Sequence, residues 1–145
     1  MLTRTISVIG LMAVMITALF GGVAEAARTA ITVQTAKGPY LSTPVAADSL
    51  DVTIAASDNT NGNYFVGTGR ELILVRNTAG VAGTVTFTSV ADQYARKGDI
   101  STYSVGAGEF SMFWVGNLVG WDQGGGQIYI DTSASTMNIA VIRIP

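Results

Sequence analysis

"LDVTIAASDNTNGNYFVGTGRELILVRNTAGVAGTVTFTSV", residues 50–90, decides the fold. Its first eight residues alternate, with Leu50, Val52, Ile54 and Ala56 on one side and Asp51, Thr53 and Ser57 on the other. This is the period-two pattern of a half-buried strand. Asn61-Gly62 suits a tight hairpin whose two central residues take positive φ, so a returning strand is expected around Tyr64 to Val66. "RELILVRN" (70–77) supplies the next strand and "NTAGVAG" (77–83) a loop. "GTVTFTSV" (83–90) is a further strand, with Val85 and Phe87 facing in and Thr84, Thr86 and Thr88 facing out.

The same punctuation continues downstream. "DISTYSV" (99–105) and "EFSMFWV" (109–115) flank Gly106-Ala107-Gly108, and "QIYID" (127–131) and "MNIAVIRI" (137–144) flank "TSAST". No helical period appears between these turns. The expectation is one all-β domain over residues 27–145, a jelly-roll-like sandwich of about eight short strands.

Residues 1–26 read as a separate object. Arg4 precedes the apolar run Val8 to Phe20, and "GGVAEA" (21–26) ends in the small-x-small pattern of a signal-peptidase site. The run is short of the roughly 20 residues of a spanning helix. Three readings stand side by side: a secretory signal cleaved after Ala26, a membrane anchor, and an upstream extension from a misassigned start.

Composition removes several functions. The 145 residues include no cysteine and no histidine, which takes away disulfides, thiolate nucleophiles and the usual neutral-pH base and metal ligand. A net charge of −2 with 12% charged residues provides no field for nucleic acid or an anionic membrane surface. The carboxylates Asp92 and Asp99, or Asp122 and Asp131, are the candidates for glycosidic acid-base work, and no motif brings them together. A Ser-Lys dyad would need Lys37 or Lys97, neither in a recognisable setting. "DNTNGN" (58–63) is oxygen-rich, but the spacing of a helix-loop-helix calcium loop and its closing glutamate are missing, so a turn is expected. "GWDQGGGQ" (120–127) lacks the Lys-Ser or Lys-Thr of a phosphate loop and reads as a loop tip with Trp121 at its base. No catalytic residue, cofactor or metal site is assigned, and the chain is expected not to be an enzyme.

Two strands are apolar on both faces. In "EFSMFWV", Phe110, Met112 and Trp114 share one side and Phe113 and Val115 the other; in "ELILVRN", Leu72 and Leu74 oppose Ile73 and Val75. A two-layer sandwich has one interior, so the second face needs a cover, either a loop or another subunit. Trp114, with Phe110 and Met112, is expected in the core. Phe113, Val115, Ile73 and Val75 are the candidates for the covered second face, with Trp121 as a further contact candidate.

Three runs carry a resemblance: "GRELILVRNTAGVAGTVTFTS" (69–89), "GDISTYSVGAGEFSMFWV" (98–115) and "GWDQGGGQIYIDTSASTMNIAVIRIP" (120–145). Their apolar strand ending in "RN", threonine-rich strand, "VGAGE" hairpin before an aromatic strand and terminal "AVIRIP" resemble the small jelly-roll-like decoration, or cement, proteins of tailed-bacteriophage capsids. The resemblance implies a non-enzymatic virion protein, commonly a homotrimer, seated on the major capsid protein and adding adhesion between capsomers. The alternative is a carbohydrate-binding sandwich, secreted or periplasmic if residues 1–26 are a signal peptide. Trp114, Trp121, Tyr103 or Tyr129 would then stack on sugar rings.

Overall fold

A computed structural model describes residues 27–38 and 51–145; the leader-like segment 1–26 and Leu50 lie outside the described residues. The chain is all-β. Ten strands follow in order: β1 (Thr29–Ala30), β2 (Val33–Thr35), β3 (Ala55–Ala56), β4 (Asn63–Val66), β5 (Glu71–Asn77), β6 (Gly83–Phe87), β7 (Ile100–Val105), β8 (Phe110–Trp114), β9 (Gln127–Thr132) and β10 (Met137–Arg143). Two sheets form, β1-β4-β9-β6-β7 and β2-β10-β5-β8, with β3 also pairing β10. Between them lies a sandwich core of Phe65, Phe87, Ile73, Val75, Val85, Ile128, Ile130, Met137, Ile139 and Val141, all fully buried.

The connections differ from the hairpins expected from the sequence. Among the described strands only β6 and β7 are consecutive and paired with each other; the other pairings join strands distant in sequence. The turns therefore carry the chain between sheets. At Asp58 to Gly62 only Gly62 has positive φ, 77°, and the turn delivers the chain from β3 in the second sheet to β4 in the first. Asp58 replaces the missing hairpin bonds by accepting from the amides of Thr60 (3.0 Å) and Asn61 (2.9 Å), an Asx turn. The "VGAGE" turn likewise links β7 of the first sheet to β8 of the second, with the Glu109 amide donating to the Gly106 carbonyl at 3.2 Å.

Within that turn Gly108 has φ of 72°, while Gly106 does not enter the positive region. Gly108→Val is expected to cost on the order of 1–2 kcal/mol in equilibrium unfolding. Gly106→Ala should cost less, because its Cβ would meet the Glu109 carboxylate, the far end of a side chain that can turn away. Equal losses at the two positions would contradict this assignment.

The alternating stretch 50–57 also behaves differently. Of its described residues, only Ala55 and Ala56 join a sheet, against Ile139 and Asn138 of β10, and Val52 is exposed rather than inward. The reason is competition for one edge: β2 already pairs Val141 to Arg143 of the same strand. Thr53 instead exchanges two hydrogen bonds with the Gln34 side chain, at 2.6 and 2.7 Å.

Buried polar groups fix the corners. Asn77 donates through Nδ2 to the carbonyls of Val81 (2.7 Å) and Val105 (3.0 Å) and accepts from the Ala79 amide, tying the end of β5 to the end of β7 across the sandwich. Glu71, 1% exposed, accepts from the Thr68 amide (2.8 Å), the Thr68 hydroxyl (2.8 Å), the amides of Gly69 and Arg70, and Arg143 Nε (2.7 Å). Burial raises the pKa of this carboxyl, but the donors outweigh burial and hold it at about 2.

Candidate functional site

The register of the second sheet builds one continuous outer surface. β5 lies between β8 and β10, so three rows cross it: Trp114-Leu72-Ile142, Met112-Leu74-Ala140 and Phe110-Arg76-Asn138. Side chains two apart on a strand share a face, which puts all nine of these on the side away from the core, although Ala140 in the middle row is itself covered and only 1% exposed. The first two rows are wholly apolar. Arg76 is the one ionisable group in the three rows, and its guanidinium lies over the Phe110 ring, 5.2 Å from its centroid.

β8 carries the most exposed part of this surface. Phe110, Met112 and Trp114 are 56%, 65% and 70% exposed, an unusual load of large apolar side chains on one five-residue strand. Beyond the strand the Trp114 indole folds over Gly116, where any Cβ would collide with its ring. β8 is also an edge strand: it pairs with β5, and its other side has no strand partner among the described residues.

The residues expected on the second face lie on the first. Ile73, Val75 and Val115 are buried in the core of this chain, and Phe113 and Trp121 pack against that core. Phe113 rests on Phe87 with ring centroids 4.9 Å apart and meets Tyr103 edge-on at 5.3 Å. The inversion has a physical cause. Ile73 and Val75 are register partners of Val141 and Ile139 on the central strand β10, whose inward side chains fill the sandwich. Pairing to β5 then fixes which side of β8 turns inward, and it is the side of Ser111, Phe113 and Val115.

Of the acidic candidates, Asp92, Asp99 and Asp122 are held by partners close by in the chain, and Asp131 by the distant Arg28. Asp92 binds Arg96 (Nε to Oδ2, 2.7 Å) and the Tyr94 amide, and these bonds lower its pKa. The hydroxyl and amide of Ser89 do the same for Asp99. Asp122 accepts from the amides of Gly124 and Gly126, both at 2.8 Å, and so shapes the glycine loop. Asp58 also takes the Thr29 hydroxyl and the Asn61 side-chain amide, and the Asn61 bonds, backbone first, depress its pKa strongly. No group of three or more metal-ligating acids occurs among the described residues.

The outer face of the first sheet is chemically different. Tyr64 of β4 and Tyr129 of β9 are register partners, and Thr86 of β6 pairs Asp131 of β9. Arg28 lies over the Tyr129 ring at 4.1 Å and forms a two-pronged ion pair with Asp131, Nη1 to Oδ1 at 2.6 Å and Nη2 to Oδ2 at 3.2 Å. The sequence pattern singles out Tyr129 but not Tyr64, Arg28 or Gln127, which only the β4-β9 pairing gathers. The sandwich thus presents one apolar outer face and one lined by hydroxyls, amides and a neutralised charge pair. No protein-family model, no curated protein and no solved structure matches the chain, so its function is argued from these two faces.

Proposed function

We propose that the chain is a non-enzymatic structural protein of the capsid-decoration kind, which lays the outer face of its second sheet against neighbouring protein subunits. The observation that carries this reading is the exposed row Phe110, Met112, Trp114 on edge strand β8, continuous with Leu72, Leu74 and Ile142. Such a surface costs solubility when bare and stabilises an assembly when covered. The resemblance of residues 69–89, 98–115 and 120–145 to phage decoration proteins supports a homotrimer as the unit and the major capsid protein as the surface beneath it. The saccharide reading gains nothing on this face, because Trp114 stands among Met112, Phe110 and Leu72 rather than among amides and acids.

Light scattering tests the proposal. The wild-type chain is expected to form a homo-oligomer, and Met112→Glu to weaken it at least about tenfold, since an apolar side chain of this size is worth roughly 1.5–3 kcal/mol when covered. Circular dichroism and the unfolding midpoint of the variant should stay close to wild type, as Met112 supports no core packing. Wild-type chain that stays monomeric at high concentration and fails to cosediment with phage heads would overturn the proposal.

A further inference from the structure

We propose that the cleft on the outer face of the first sheet is a binding site for a neutral saccharide. The cleft, about 540 Å³, is lined by Arg28, Thr60, Asn61, Tyr64, Gln127 and Tyr129, with Ala27 at its margin. Its size lies within the about 300–1,000 Å³ of small-molecule sites. It belongs to the face opposite the apolar one, so it is independent of the assembly role.

The ligand class follows from what the walls offer. Tyr64 and Tyr129 stand side by side as cross-strand partners, and the Arg28 guanidinium is stacked on Tyr129. Tyr64 is therefore the ring left to receive a ligand face. Arg28 is fixed by Asp131 and by the Asn63 carbonyl at 3.4 Å, so its charge is already neutralised. An anion would have to compete with Asp131 for that guanidinium, and a cation would have to compete with Arg28 for the carboxylate. Asn61 spends one of its two side-chain N–H groups on Asp58 at 2.9 Å, which leaves its carbonyl oxygen as an acceptor and its second N–H as a donor. The Gln127 amide, the Thr60 hydroxyl and the two tyrosine hydroxyls make no side-chain hydrogen bond to another described residue. A purely apolar ligand would desolvate these groups without replacing their bonds. A neutral ring with hydroxyls around its rim and an apolar C–H face satisfies all of them: the C–H face on Tyr64, the hydroxyls on Asn61, Gln127 and Thr60.

The test is an array of neutral oligosaccharides probed with the full chain, followed by saturation-transfer NMR and titration on the best binder, with sialyllactose and adenosine as controls. At least one neutral sugar is expected to bind with a Kd of about 1 mM or tighter. Gln127→Ala and Tyr64→Ala should each weaken it by about tenfold or more. Tyr64→Phe keeps the ring and should lose less than Tyr64→Ala, which separates stacking from any fault in folding. Met112→Glu should bind as wild type does. The proposal is overturned if no neutral sugar on the array binds, if sialyllactose or adenosine binds in preference, or if Gln127→Ala leaves affinity unchanged.

Discussion

Glu71→Ala is expected to destabilise the domain by about 2–4 kcal/mol, because the buried carboxylate satisfies five donors while its partner Arg143, 32% exposed, can turn to water. The substitution abandons Arg143, whose Nε otherwise binds the carboxylate while Nη2 reaches the Val66 carbonyl at 3.1 Å. It also frees three consecutive amides, Thr68 to Arg70, in the link that carries the chain from β4 to β5. The carboxyl is held at about 2 against an ordinary 4.5, so the folded state favours the ionised form. Its contribution is complete above about pH 4.5 and is lost as the pH falls toward 2, an effect on the order of 3 kcal/mol. Urea unfolding at pH 7 and pH 3 measures both effects, and Glu71→Gln should flatten the acid limb. A loss below about 1 kcal/mol for the alanine variant at pH 7 would show that the network is not a stabilising corner.

Phe87→Ala should cost a similar amount, about 3–5 kcal/mol, out of the 5–15 kcal/mol typical of a domain. Phe87 is fully buried and carries the ring of Phe113 at 4.9 Å, so truncation empties the junction where β6 of one sheet meets β8 of the other. Trp114→Ala, although it removes a larger side chain, should change stability by less than about 1 kcal/mol, because the indole is 70% exposed. Denaturant midpoints for the two variants decide the matter. A Trp114 variant as unstable as the Phe87 variant would mean that the outer face of β8 is packed within the monomer.

The sequence was most informative where alternation and polarity agree. In "GTVTFTSV" the threonines and the pair Val85 and Phe87 separate cleanly, and the structure buries the latter two. It was least informative in "EFSMFWV", where the outward side holds the larger residues and the inward side begins with Ser111. Hydrophobicity ranks those faces in the wrong order; only the pairing of β5 to β10 settles them. In "RELILVRN" a hint existed, since Arg70 and Arg76 share parity with Leu72 and Leu74 and a long cation prefers water. Glu71 and Asn77 on the opposite side mask that hint, because each is buried by partners that lie far along the chain, Arg143 and Val105. The tyrosine cleft was illegible for the same reason: Arg28 and Asp131 are 103 residues apart.

The parallel pairing of β2 with β10 has a mechanical consequence. Val33, Gln34 and Thr35 run alongside Val141, Ile142 and Arg143 in the same direction, as β1 does beside β4. Tension applied to the chain ahead of β2 and behind β10 slides these neighbours along their shared axis, so their backbone bonds resist together in shear instead of parting one after another. The Arg28 clamp on Asp131 shares that tension with the other sheet. A sandwich fastened in this way yields late under pulling.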